Sequence, residues 1–385
     1  MSSSTIQNIV ILGGGTAGWL SAAYLNRALG KAVSITLVEA PEIRTVGVGE
    51  ATVPTFQNTM RFLGFEEAEW MPACNATWKL GVRHVGWGGM DSLSRPHFLH
   101  PFFEFPEPRR LPTSVPWSGG QGRGLTRAQC WHTAKVRGWT DHPFVEYAVP
   151  NGSMCGSGRG PLRRDGSPLP NLRYAHHIDA DLLVDLLRRT CVERGVNHLQ
   201  DYVTNVVRQA DGDIDLLTTK QGRQIRADLF LDCSGFRSRL LGQEMNEPFE
   251  SLGSHLFLDR AIALRCPLPK SEPSPFTSAE TASSGWIWEI PLRDRAGQGY
   301  TFSSRHQTED QAASEFLQYL GGRGKESDLW SLTLNPGRHR RSWVGNCIAV
   351  GLASSFIEPL ESTSILLIEY QLATLLNLFP EHEER

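Results

Sequence analysis

Apolar and polar positions fall into a readable order from the first residues onward. The run NIVIL (8–12) is short and β-branched, a glycine cluster follows, and apolar residues then recur at helical spacing through Leu20, Ala23, Leu25 and Leu29. This pattern predicts strand, turn and helix, and AVSITLVEA (32–40) predicts a second strand ending in Glu39. A helix is expected over about 55–65. Alternation over 76–88 predicts a strand with Lys79, Gly81 and Arg83 on one face and Trp78, Leu80 and Val82 on the other. Residues 88–172 are rich in Pro, Gly and Arg and predict a long, irregular, loop-rich insertion. IDADLLVDLLRRTCVERG (178–195) reads as an amphipathic helix with Gly195 as its stop.

Strands are expected through 202–232, where turns at Asp211-Gly212 and Gln221-Gly222 indicate a hairpin layer. Further strands over 255–305, a helix near 308–320, a strand at 346–352 and a final helix from about 362 complete the pattern. The chain carries a formal net charge of -3 and a pI near 6.5, which gives no reason to expect nucleic acid or an anionic membrane as partner. Its seven cysteines are scattered without metal-ligand spacing, so neither a disulfide framework nor a metal site is indicated. The amino terminus has no basic leader and its apolar run is short for a signal peptide, which points to a soluble, cytoplasmic protein.

The first candidate chemistry lies in the glycine cluster. Gly13, Gly15 and Gly18 stand at G-x-G-x-x-G spacing between strand and helix, so Thr16 and Ala17 open a helix whose N–H groups meet phosphate. Glu39, at the end of the second strand, is placed to accept hydrogen bonds from a ribose. A single fingerprint, the glycine-spaced loop VGVGEATVP (46–54) with Ala51, and two later buried strands favour FAD over NAD. Those strands lie in IRADLFLDCSGFRSRL (225–240) and NCIAVGLASSF (346–356), the second containing Gly351. The expected fold class is α/β, a three-layer ββα Rossmann-like FAD-binding fold with a mixed substrate-side sheet. We read it as one module built from discontinuous segments, about 1–75, 172–250 and 335–385, with the substrate-side layer and insertion at about 76–171 and 251–334.

With GGGTAGW, GVGEATVP, WKLGV, GWIWEIP and FIEPLESTS in that order, the chain resembles the flavin-dependent halogenases of the tryptophan halogenase family from Ile9 to Phe379. GWIWEIP keeps the W-x-W-x-I-P signature at Trp286, Trp288, Ile290 and Pro291, which separates these enzymes from flavin hydroxylases of the same fold. The resemblance implies that a separate NAD(P)H-dependent flavin reductase supplies FADH2, which molecular oxygen converts to a flavin hydroperoxide. Chloride or bromide then yields hypohalous acid, which passes through a tunnel to Lys79 and halogenates an indole or other electron-rich aromatic ring.

The same resemblance implies residue roles. Lys79 matches the catalytic lysine, acting as hydrogen-bond donor to the oxidant or as a haloamine, and Glu361 matches the glutamate that orients the oxidant or takes the ring proton. Ser362 is its neighbour, the backbone amides of Thr363 and Ser364 match the halide site, and Ser364 stands where well-studied members have glycine. His100 and Phe102 match positions lining the indole pocket, and Trp286 and Trp288 form a wall that keeps substrate from the flavin.

Read without the family, each feature has a plainer account. Lys79 would face water, the tryptophans would be core, a His in an aromatic loop would be packing, and SSFIEPLESTS would be a polar helix cap with Ser362 or Thr363 as N-cap and Glu358 structural. The chain stops at EHEER, where members acting on free tryptophan continue into a helical segment. Either the site is left open or completed by a partner, or the sequence is cut from a longer chain; a peptide- or carrier-bound aromatic is expected beside free indoles, and a homodimer is one expected assembly. Two other functions stay open at this point: a flavin monooxygenase that hydroxylates an aromatic substrate on the same scaffold, and a non-catalytic flavin-binding scaffold.

Overall fold

A computed structural model describes residues 6–43, 47–87, 97–102, 127–270 and 272–379. Among these residues the NIVIL strand, Asn8–Leu12, is central to a six-stranded sheet. It pairs in parallel with Ser34–Glu39 on one side and Leu229–Asp232 on the other. Asn197–Gln200 extends the sheet beyond Ser34–Glu39, and Cys347–Ala349 extends it beyond Leu229–Asp232.

Both faces of this sheet are covered, which is why its strands read as continuous apolar runs. Ile9, Ile11 and Leu231 pack against the helices Thr16–Leu29, Ala180–Glu193 and Thr363–Asn377 through Leu20, Leu25, Leu187 and Leu372. Val10, Leu12 and Phe230 face the other way, onto Val206 and Leu217 of the hairpin strands Val203–Arg208 and Ile214–Thr219. Helices, parallel sheet and antiparallel hairpins make the three layers of a Rossmann-like ββα fold. Asp179 starts the helix Ala180–Glu193 by accepting from the Asp181 and Leu182 amides at 3.1 and 3.4 Å.

The second large sheet is mixed and runs in the order Trp330–Thr333, Arg260–Cys266, Ala296–Phe302, Gly285–Pro291, Thr277–Ala282, Gly81–Val85, His97–Pro101. A small sheet joins Glu50–Ala51, Ala175–Ile178 and Thr77–Lys79. The expected single strand over 76–88 is thus two strands in different sheets, with Leu80 alone between them. Its alternation does not carry Lys79 to solvent, because the small sheet is enclosed and Lys79 is 0% exposed.

The insertion also departs from expectation. Residues 88–96 and 103–126 lie outside the described residues, but the rest holds the strand His97–Pro101 and the helices Arg127–Val136, Phe144–Ala148 and Pro150–Gly156. Among the described residues no helix is long and apolar enough to cross a membrane.

Candidate active site

The glycine turn opens onto a cavity of about 860 Å³. Gly13 has φ +122°, and a Cβ there would collide with the Cys233 carbonyl, so the turn closes against the next strand only with glycine. Gly13, Gly15, Thr16, Ala17, Glu39, Ala51 and Gly351 all line the cavity, and Gly18 is buried behind the turn. Glu39 accepts from Trp19 Nε1 at 3.3 Å and lies 2.8 Å from His198 Nε2, which holds its carboxylate at the cavity edge. A deep apolar cleft with a helix N-terminus at one end fits a dinucleotide flavin.

The lining of the same cavity also includes Trp286, Trp288, Ser362, Thr363 and Ser364. Ser362 precedes the helix Thr363–Asn377 and has φ +62°, in the left-handed region. It is the N-cap residue, yet its hydroxyl makes no cap bond; it accepts instead from Lys79 Nζ at 2.7 Å. The first N–H groups of the helix have no partner within it, and Thr363 Oγ1 is buried without one. These groups at the positive end of a helix dipole fit an anion.

Lys79 donates a second bond to the Thr52 carbonyl at 3.0 Å, and its ammonium lies 5.1 Å from the centre of the Phe102 ring. Burial lowers its pKa to about 7, with Glu361 acting the other way. The amine therefore exchanges readily between charged and neutral forms near neutral pH. Beside it, His177 lies 2.9 Å from Thr77 Oγ1 and 3.0 Å from Thr277 Oγ1. Thr77 donates its own hydroxyl proton to the Pro291 carbonyl at 2.5 Å, so His177 Nδ1 donates to Thr77 and Nε2 accepts from Thr277. Burial, then the charge of Lys79, pushes the His177 pKa well down and keeps the ring neutral.

Glu361 is half-buried and held by two histidines. His84 Nε2 and His100 Nδ1 each lie 3.1 Å from its Oε1. Burial alone would raise this carboxyl, but the hydrogen bonds from His84 and His100 outweigh it and hold the pKa below the ordinary value. Trp286 and Trp288 share a face of Gly285–Pro291, their ring centres 6.1 Å apart and nearly edge-to-face. Trp286 Nε1 donates to Glu358, which gives that carboxylate its structural task, and the Trp288 ring packs so closely that Gly299 has no room for a Cβ.

Lys79, Phe102, His100, Glu361 and Ser362 are thus brought to one place, and the tryptophan pair lines the cavity of the glycine turn while Trp286 bonds Glu358 of Glu361's segment. Among the described residues Lys79 does not line the cavity; Ser362, which does, bonds it. His84, Thr52, His177 and Thr277 were not among the expected site residues. His84 shares a strand face with Val82, which packs against Trp286, but no signal in the sequence singled it out.

The tryptophan halogenase family model matches residues 8–385. The chain belongs to the tryptophan halogenase family. Tryptophan 7-halogenase RebH of Lentzea aerocolonigenes is 40% identical over 98% of this chain and 71% of its own length. Tryptophan 7-halogenase KtzQ of Kutzneria sp. is 39% identical over 100% of this chain and 72% of its own. The solved structure of the tryptophan 6-halogenase SttH from Streptomyces toxytricini matches with a TM-score of 0.86 at 36% identity, over 99% of this chain and 74% of that one. This halogenase is accordingly a flavin-dependent enzyme, and the W-x-W-x-I-P pair at Trp286 and Trp288 belongs to an enzyme rather than to a scaffold without turnover.

Proposed function

We propose that the chain halogenates an electron-rich aromatic ring, of the indole or phenol class, using Lys79 and Glu361 on the far side of the tryptophan wall from the flavin. Bound reduced FAD, with molecular oxygen and chloride or bromide, supplies hypohalous acid. Gly13, Gly15, Thr16, Ala17 and Gly18 hold the cofactor's pyrophosphate, Glu39 a ribose, and Ala51 and Gly351 the walls of its site. The amides of Thr363 and Ser364 hold the halide. A separate NAD(P)H-dependent reductase supplies the reduced flavin.

Lys79 directs the oxidant through its third N–H, the first two being given to Thr52 and Ser362. Glu361 takes the proton that the ring loses on substitution. Trp286 and Trp288 keep the organic substrate away from the flavin, while His100 and Phe102 border the ring. The single observation that carries the reading is the bond between buried Lys79 and Ser362, because Ser362 also lines the glycine-turn cavity. A lysine in a structural role gains nothing from so costly a burial.

The test is to incubate the protein with FAD, a flavin reductase, NADH and bromide against a panel of indoles and phenols, free and peptide-bound. The expected product carries one halogen. Halide-independent addition of oxygen would instead identify a monooxygenase. In Lys79→Ala, halogenation is expected to fall at least about 10²-fold while flavin reoxidation proceeds as before; loss of reoxidation would overturn the separation of the two events.

A further inference from the structure

Glu361 carries its two hydrogen bonds on one oxygen. His84 and His100 both reach Oε1, and among the described residues nothing bonds Oε2. A carboxylate oxygen offers two lone pairs, so Oε1 is filled and the basicity of the group is concentrated at Oε2.

The two histidines are not equivalent. The His84 side chain is 5% exposed and that of His100 62%. His84 stacks on Phe98 at 4.7 Å and 17° and meets the Trp87 ring edge-on at 5.6 Å. Its strand is interior to the seven-stranded sheet, whereas His100 lies on the edge strand. The Nδ1 of His84 is buried with no partner. A protonated ring would bury a second N–H with nothing to receive it, and the neutral Nε2–H tautomer avoids that cost.

We propose that His84 is a positioning residue for Glu361: as a fixed neutral donor it occupies Oε1 and leaves Oε2 to accept the ring proton. This rests on the role proposed above for Glu361. On halogenation the ring's π electrons form a carbon–halogen bond as the halogen–oxygen bond of the hypohalous acid breaks and its oxygen leaves as hydroxide, which takes a proton to become water; the electron pair of the ring C–H bond then returns to the aromatic system as its proton passes to Oε2, and the carboxylic acid later releases that proton to solvent. Among the described residues the titratable groups facing this carboxylate are His84 and His100 from the seven-stranded sheet and Lys79 from the small one. Glu280 on the neighbouring strand is engaged by Tyr319, and Glu358 on Glu361's own segment by Trp286.

The experiment is a carbon-13 titration of the Glu361 carboxyl in the full chain, assigned with Glu361→Gln, together with the pH profile of kcat on an indole the enzyme accepts. In His84→Phe the Glu361 titration is expected to move up and the acidic limb of kcat to move with it. At the acidic end kcat should fall on the order of tenfold with KM little changed. His84→Gln, whose amide donates from nearly the same place, should recover part of the loss, and His100→Phe should shift the titration less. Where His84→Phe does not fold, His84→Asn, whose shorter amide falls short of Oε1, serves against His84→Gln. An unmoved titration in these variants, or equal shifts for His84→Phe and His100→Phe, overturns the proposal. The titration needs no turnover, so an inactive wild type with a shifted Glu361 would sink the functional reading and leave His84 in place.

Discussion

Lys79 Nζ lies 2.7 Å from Ser362 Oγ although 283 positions separate the two residues. The bond joins the small β-sheet to the start of the carboxy-terminal helix, and it sets a buried amine beside residues that line the glycine-turn cavity.

Stability should therefore report on Lys79. Its folded pKa, about 7, lies below the ordinary 10.5, so between these values the unfolded chain binds more protons than the folded one. Stability rises with pH across that window, and the burial penalty is complete below about 7. Lys79→Met is expected to flatten this rise and to stabilise the protein at mildly acidic pH by about 1–3 kcal/mol. Urea unfolding of both proteins on either side of the window checks it.

Ser362 combines backbone strain with a bond from a buried lysine. Its left-handed backbone costs a non-glycine residue about 1 kcal/mol, which Ser362→Gly should return while removing the acceptor for Lys79. Ser362→Ala removes the same acceptor and keeps the strain. Both variants are expected to lose halogenation, but only Ser362→Gly should hold or raise its melting temperature. Equal melting temperatures would contradict the account.

The tryptophan wall rests on Gly299. A methyl group there meets the Trp288 ring and the Ile262 carbonyl, so Gly299→Ala should cost about 1–3 kcal/mol. It should also shift the fluorescence of the wall, since the ring has to move. Removing the ring in Trp288→Ala should relieve the alanine's cost, which a double-mutant cycle would show as coupling.

Glu358 holds the other half of the wall. Its half-buried carboxyl is raised by burial, partly offset by the bond from Trp286. Glu358→Gln keeps an acceptor for the indole N–H and should be nearly neutral, whereas Glu358→Ala strands it and should cost about 1–3 kcal/mol in thermal unfolding.

Much of the Rossmann half was legible because local signals agree there: β-branched runs, a glycine turn, and helices with clean stops such as Gly195. The helix Pro150–Gly156 was hidden by its own punctuation, since Gly152 occurs inside it, where the Val145 carbonyl comes too near for a side chain. The burial of Lys79 was illegible because a period of two assumes one sheet, and the chain changes sheets at Leu80. His84 went unseen for the same reason: parity set it opposite Lys79, and only Glu361, 277 positions away, brings both into one neighbourhood. Ser362 was legible as the start of a helix, but its hydroxyl serves a lysine from another sheet, and no local pattern encodes that partner.

The sheet change at Leu80 has a consequence for where a ring is attacked. The amine stands on the small sheet, while the histidines that bond Glu361 stand on the large one, and a single buried leucine links the two sheets. Leu80 is fastened on both sides, donating to the Pro275 carbonyl at 2.8 Å and accepting from the Phe102 amide at 2.9 Å. The spacing between Lys79 and Glu361 is thus set by how two sheets abut, so, on the roles proposed for them, regiochemistry should answer to side-chain volume at this junction as directly as to the shape of the pocket.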